Sequence, residues 1–263
     1  MRISIIGCGW LGLPLGEHLA QCGYEVSGST TSPDKLPLLQ KTGITPFLFK
    51  LEPMPAGKDF NALFNTDLLF VNIPPGRKKN PPEFYEEQIK YLTYLINQHK
   101  VPRVIFISST SYYPSTNSPV SVDTPYDFAQ GSGKAVVQAE KQISKVQSEL
   151  LILRCGGLMG GNRIPGRWFA GKLTTGAHTP VNYIHRDDII ALVPELISQS
   201  DWDQTVMNVV NPLHPTRKEV HEAMAAKYDF EVPIWQDPSL NKHKLVESSL
   251  DPTLLKYPSP LDY

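Results

Sequence analysis

The opening twelve residues constrain the chain most. Arg2-Ile3-Ser4-Ile5-Ile6 is an apolar, β-branched run that stops at Gly7, and such a run reads as a buried strand. Gly7-Cys8-Gly9-Trp10-Leu11-Gly12 follows without a gap and fits G-x-G-x-x-G. Leu11, Leu15, Leu19 and Cys22 then recur at roughly helical spacing up to Gly23, a residue suited to ending a helix. The first glycine of such a turn permits the tight bend, the second lets a pyrophosphate approach the backbone, and the third lets helix and strand pack closely. First-turn N–H groups have no partner within their own helix. The backbone of Gly7, Gly9, Trp10, Leu11 and Gly12 is therefore the expected cradle of a dinucleotide.

The same alternation continues. Tyr24–Ser29, Ile44–Lys50, Asp67–Ile73, Val104–Ile107 and Leu150–Arg154 read as strands, and Glu83–His99 and Gly133–Gln147 as helices. The third strand is followed by a Pro-rich loop, 51–58, and the sixth by a flexible glycine crossover, 156–161. Alternating strands and helices predict a doubly wound parallel sheet of the Rossmann type. The expected organisation is a dinucleotide-binding domain over 1–156 and a smaller substrate lobe over 157–263, partly interleaved with the first. In that lobe His185 reads as a capping or packing residue. Thr216 and Glu219 read as a capping box ahead of a helix over 217–227.

In this fold the ligand crevice lies at the carboxyl ends of the strands, which brings Asn72, Pro74 and the hydroxyl cluster Ser108-Ser109-Thr110 into view. The end of the second strand carries Thr30, Thr31, Ser32 and Lys35 instead of the acid that would hold a ribose 2′-hydroxyl. Hydroxyls and a cation suit a 2′-phosphate, so NADP is favoured, with NAD the alternative. Arg77-Lys78-Lys79 reads as a solvated loop.

Composition narrows the partners. The chain has 263 residues, 41% hydrophobic, with a net charge of −1. This gives no electrostatic reason to expect nucleic acid or an anionic membrane. No apolar stretch approaches the ~20 residues of a membrane span, and a strand starting at residue 2 leaves no room for a signal peptide. Three cysteines without metal spacing suit a reducing cytoplasm and read as small core residues.

Four stretches together resemble the extended short-chain dehydrogenase/reductases, the group of NAD(P)-dependent epimerases and dehydratases. They are Val104-Ile-Phe-Ile-Ser-Ser-Thr-Ser-Tyr-Tyr113, Leu151-Ile-Leu-Arg-Cys-Gly-Gly-Leu-Met-Gly160, Tyr183-Ile-His-Arg-Asp-Asp-Ile189 and Met207-Asn-Val-Val210. The resemblance covers nearly the whole chain. It implies cofactor contacts from Thr30, Thr31, Asn72, Pro74 and Ser108. It also implies a substrate-oxygen contact from Ser109, with Ser108 or Thr110 as alternatives, and a small-molecule substrate such as a carbonyl, a hydroxyl compound or a sugar nucleotide. A homodimer is common in the group. The group's Tyr-x-x-x-Lys pair is missing, however. Thr116, Asn117 and Gln130 stand four residues after Tyr112, Tyr113 and Tyr126, and Gln130 stands four before Lys134. The chain thus resembles atypical members, which keep the fold and the nucleotide site but lose the active-site tyrosine. For an oxidoreductase or epimerase with rearranged residues, Tyr113 or Tyr126 is the expected phenol and Lys134 the nearby cation, with a solvated helix lysine the alternative reading of Lys134. A dinucleotide-binding sensor without turnover is the competing expectation. The N-terminus alone is also similar to β-hydroxyacid and nucleotide-sugar dehydrogenases, whose long helical second domain the proline-broken C-terminal part does not match.

Overall fold

The computed structural model describes residues 1–76, 80–126, 133–236 and 242–263. The Arg77-Lys78-Lys79 loop and Gln130 lie outside the described residues. The largest sheet has eight strands: β1 (Arg2–Ile6), β2 (Glu25–Thr30), β3 (Ile44–Leu51), β4 (Pro55–Gly57), β5 (Leu68–Val71), β6 (Arg103–Ser109), β7 (Glu149–Cys155) and β8 (Val206–Val209). Their order is β8-β7-β6-β5-β1-β2-β3-β4. β1 pairs in parallel with β2 and β5, β2 with β3, and β5 with β6. The order of succession reverses between β1 and β5, which makes their carboxyl ends the topological switch point of a Rossmann sheet. The stretch read as a Pro-rich loop instead carries β4, antiparallel to β3. Pro55 is tolerated there because an edge strand leaves one row of N–H positions unpaired.

Among the described residues six α-helices accompany the strands: α1 (Gly12–Gln21), α2 (Leu36–Lys41), α3 (Pro82–Gln98), α4 (Lys134–Ile143), α5 (Arg186–Ser198) and α6 (Arg217–Tyr228). The described residues divide into two compact units interleaved along the chain. The first comprises Met1–Ser108, Gly133–Leu153 and Pro194–Val206, and the second Ser109–Ser132, Arg154–Val193 and Met207–Tyr263.

The first unit's core joins Leu69, Val71, Val104 and Phe106 of the sheet to Ile89, Leu92 and Ile96 of α3 and Ala139 and Ile143 of α4. On α3 the inward residue of the first turn is Tyr85, which is buried, while Phe84 is half-exposed. Tyr85, Ile89, Leu92 and Ile96 follow the i, i+4, i+7 stripe, and the Tyr85 hydroxyl donates to the Ile73 carbonyl at 2.9 Å.

The second unit contains short parallel pairings, 157–159 with 183–185, 173–174 with 234–235, and 119–120 with 245–246. The capping box on α6 is present: Thr216 Oγ1 accepts from Glu219 N at 3.2 Å, and Glu219 Oε2 accepts from Thr216 N at 2.7 Å. The C-terminal segment is anchored to α5, where Asp188 Oδ1 accepts from the backbone N–H of Lys256 and Tyr257.

Candidate functional site

In the first unit the glycine turn closes on the β5 end. Gly7 has φ +101°, and a Cβ there would stand 2.5 Å from the Asn72 carbonyl oxygen. Gly12 is as tightly enclosed, since a Cβ would meet the Gly7 carbonyl oxygen at 2.3 Å. Gly9 differs from both: a Cβ on it would have nothing within 4 Å, and the residue is exposed. Two glycines are thus demanded by the chain's own packing, and the middle one faces open space. Ser29 and Asn72 steady the turn. Gly7 N donates to Ser29 Oγ at 2.9 Å, Cys8 N to Ser29 O at 2.8 Å, and Asn72 Nδ2 to Gly7 O at 3.3 Å. No side chain caps the N-terminus of α1, so its first-turn amides remain directed at the turn.

Cys8 is a buried packing residue. Its sulfur fills the space that a Gly28 Cβ would take, and burial pushes its thiol up to about 12. Cys155 is likewise buried and pushed up to about 12. Cys22 departs from the core reading, since it is exposed at the end of α1.

At the β2 end Thr30 is buried and its hydroxyl accepts from Ser32 N at 3.2 Å, whereas Thr31 and Lys35 are exposed and Ser32 is half-exposed. Pro74 is exposed beside Asn72. At the β6 end Ser108 donates to Glu140 Oε1 at 2.5 Å. Glu140 is buried on the inner face of α4, among Ala135, Val136, Val137, Ala139 and Ile143. Lys134 opens the same helix on its outer face. It is 55% exposed and pairs with Glu83 at 3.7 Å, the state of a solvated surface lysine.

In the second unit Ser109 caps the 3₁₀ turn Thr110–Tyr112, its Oγ accepting from Ser111 N at 3.2 Å, and Thr110 is buried. Tyr113 is 1% exposed. Its hydroxyl donates to Asn208 Oδ1 at 2.6 Å and accepts from Arg154 at 2.8 Å. Arg154, also buried, lies 3.5 Å over the Tyr112 ring and donates to the Val122 carbonyl at 3.3 Å. A phenol so engaged holds these strands together and presents no surface to a substrate. Tyr126 is half-buried, its ring 5.9 Å from that of Tyr112. Lys244 donates to the Tyr113 carbonyl at 2.6 Å, and burial lowers its ammonium to about 8.

His185 fills the capping role: its Nδ1 accepts from Asp187 N at 3.1 Å, and burial lowers it to about 4. Sequence reasoning missed Ser29, Glu140, Arg154 and Asn208. One signal was available for Glu140, a lone carboxylate on the apolar stripe Val136, Ala139 and Ile143. Among the described residues no cluster of His, Cys, Asp and Glu could hold a metal ion, and no helix is long and apolar enough to cross a membrane.

No family model matches the chain. Protein YeeZ of Escherichia coli (strain K12) is 32% identical over 268 residues, covering 99% of this chain and 97% of that protein. Among solved structures, MoeE5 in complex with UDP-glucuronic acid and NAD superposes with a TM-score of 0.75 at 17% identity, covering 97% of this chain and 92% of that one. A UDP-galactose 4-epimerase superposes at 0.70 and 17% identity, covering 97% and 91%. The chain belongs to the family of Protein YeeZ and has the fold of the NAD-dependent epimerase/dehydratase group of short-chain dehydrogenases.

Proposed function

We propose that this protein binds a nicotinamide dinucleotide and acts as an epimerase- or dehydratase-type oxidoreductase on a sugar nucleotide. The observation that carries the reading is the contrast within the glycine turn. Gly7 and Gly12 are explained by the clash that a Cβ would make with the Asn72 and Gly7 carbonyl oxygens, and the absence of a side chain at Gly9 by nothing in the protein. A pyrophosphate resting on Gly9 and on the uncapped first turn of α1 supplies the missing reason. The sugar-nucleotide and NAD complex of MoeE5 supports the substrate and cofactor classes by likeness of fold.

The residues present fit the group. Trp10, Leu11 and Gly12 would hold the pyrophosphate by backbone N–H groups, over Gly9, whose own N–H is given to the Gly7 carbonyl at 2.8 Å and whose missing side chain allows the approach, and Asn72 and Pro74 would border it. Thr31, Ser32 and Lys35 would receive the adenosine ribose. Their hydroxyls and cation favour NADP over NAD. When bound, the dinucleotide supplies the hydride chemistry. Ser109 spends a lone pair on Ser111 N and keeps its own proton to donate to a substrate oxygen. Of the two phenols that the sequence offers, Tyr126 is the one not fully enclosed.

Calorimetric titration with NADPH and NADH tests the reading. Wild-type protein should bind, with NADPH the tighter ligand. Gly9→Ala should bind at least about tenfold more weakly, ~1.4 kcal/mol, without a change in melting temperature. Failure of wild type to bind either dinucleotide overturns the proposal. A second reading, a sensor without turnover, is favoured by one observation: the buried face of α4 offers no cation to activate a phenol. Dinucleotide binding with no cofactor reduction or oxidation across a panel of UDP-sugars and no sugar product would select it.

A further inference from the structure

The 3₁₀ turn Thr110–Tyr112 of the second unit is held at both ends. Ser109 caps its start, and Lys244 donates to the Tyr113 carbonyl just past its end at 2.6 Å. A 3₁₀ turn repeats every three residues, so positions three apart lie over one another. Ser109 and Tyr112 have that spacing and both are half-buried, whereas Thr110 is buried. The turn therefore presents a serine hydroxyl and a phenol on one side.

The Tyr112 ring is fixed from beneath. The Arg154 guanidinium lies 3.5 Å from its centroid and is itself anchored, donating to the Tyr113 hydroxyl at 2.8 Å and the Val122 carbonyl at 3.3 Å. The Tyr113 ring meets Tyr112 edge-on at 5.4 Å. The Tyr113 hydroxyl is committed to Asn208 and Arg154. That of Tyr112 has no hydrogen-bond partner among the described residues. A guanidinium keeps its charge at any working pH, and a cation at a ring face stabilises negative charge that builds on the ring and its oxygen. Arg154 thus brings to Tyr112, from β7, the cation that the sequence lacks four residues after each of its tyrosines.

From this arrangement we propose that Tyr112 is the proton donor to the substrate oxygen, acting beside Ser109, with Arg154 as the positioning residue that holds its ring. The inference rests on the sugar-nucleotide reading above. As a carbonyl carbon of the substrate takes hydride from the bound dinucleotide, the C=O π pair moves to oxygen. The Tyr112 O–H bond breaks and its proton forms the new O–H, while Ser109 Oγ–H holds the same oxygen. The phenolate recovers its proton from water. In the reverse direction Tyr112 takes the hydroxyl proton.

The test uses the full chain as wild type, Tyr112→Phe, Tyr126→Phe, Arg154→Lys and Arg154→Met. The probes are NADPH, UDP-, GDP- and dTDP-glucose, and the matching nucleoside diphosphates, which lack the sugar. Binding is read by calorimetry, and sugar products by chromatography after incubation with NADP⁺ or NADPH. Tyr112→Phe should lower turnover at least about a hundredfold, the scale of a lost general acid. It should weaken the sugar nucleotide about two- to tenfold and leave the nucleoside diphosphate and NADPH within about twofold. Tyr126→Phe should stay near wild type. Arg154→Lys keeps a cation at the ring and should retain more turnover than Arg154→Met at matched melting temperature. Full turnover in Tyr112→Phe overturns the inference. So does equal weakening of sugar nucleotide, nucleoside diphosphate and NADPH, which marks a structural role. Should the Arg154 variants fail to fold, Tyr112→Phe decides alone. Wild-type protein that binds NADPH and a sugar nucleotide without forming product sinks this inference and leaves the binding part of the reading standing. Wild-type protein that binds no probe sinks both.

Discussion

Two glycine-rich stretches follow two strands, and they do different work. In Gly7–Gly12 a Cβ on the middle glycine would meet nothing, and in Gly156–Gly161 a Cβ on each glycine would meet a neighbour. A Cβ on Gly156 would stand 2.4 Å from the Asn182 carbonyl oxygen, on Gly157 2.5 Å from the Tyr183 ring, on Gly160 2.7 Å from His185 Nε2, and on Gly161 2.9 Å from Arg186. The second stretch reads in sequence as a flexible crossover. It is instead a fixed ribbon in which 157–159 pairs in parallel with 183–185. The lesson is that glycine density marks close approach, and only the surroundings say whether the approaching group belongs to the protein or to a ligand.

Substitution at the two stretches should break or sharpen this contrast. Gly156→Val drives a side chain into backbone that cannot move aside, and should cost about 3 kcal/mol of stability, at the upper end of overpacking. Gly9→Ala should cost less than about 0.5 kcal/mol, as at ordinary surface positions. Equal melting temperatures for the two variants would dissolve the distinction.

The second unit should also be the acid-sensitive one. Burial holds His185 and His221 at about 4, below the ordinary 6.5. The unfolded chain then takes up protons that the folded one refuses, so stability falls as pH drops from about 6.5 towards 4. Asp188, raised to about 6 by burial, works in the opposite sense: it favours the folded state at low pH and loses that contribution as pH rises through 6. The histidines outweigh it, with a net loss of about 2 kcal/mol between pH 7 and 5. His221→Phe, placed between Phe169 and Trp235, should flatten the dependence of melting temperature on pH, and Asp188→Asn should steepen it. A flat wild-type profile would contradict the assignment.

Smaller effects sharpen the picture. Tyr113→Phe removes the hydroxyl shared by Asn208 and Arg154 and should lower stability by about 1–3 kcal/mol. If Tyr113 is structural, dinucleotide affinity stays unchanged, and a selective loss of turnover in a stable variant would return it to the catalytic list. Thr216→Ala, which opens the capping box of α6, should cost about 1 kcal/mol, read from denaturant midpoints. In native protein a thiol reagent should modify Cys22 and leave Cys8 and Cys155 untouched until the chain unfolds.

The alternating strands, the glycine turn and the α6 capping box were all legible in the chain, because each depends on neighbours within a few residues. Hydrophobic runs choose strands, turn glycines choose φ, and Thr216 and Glu219 find each other one helical turn apart. The opposite holds for Ser108 and Glu140, 32 residues apart, for Arg154 and Tyr113, 41 apart, and for Tyr113 and Asn208, 95 apart. No local rule pairs them, since which polar atoms share a buried space is fixed only when distant strands are stacked. Sequence thus determined that the chain would build a switch point with a glycine turn on it. Tertiary packing decided which hydroxyls were already committed and which remain for a ligand, because a hydrogen bond spends its donor only where the fold supplies an acceptor.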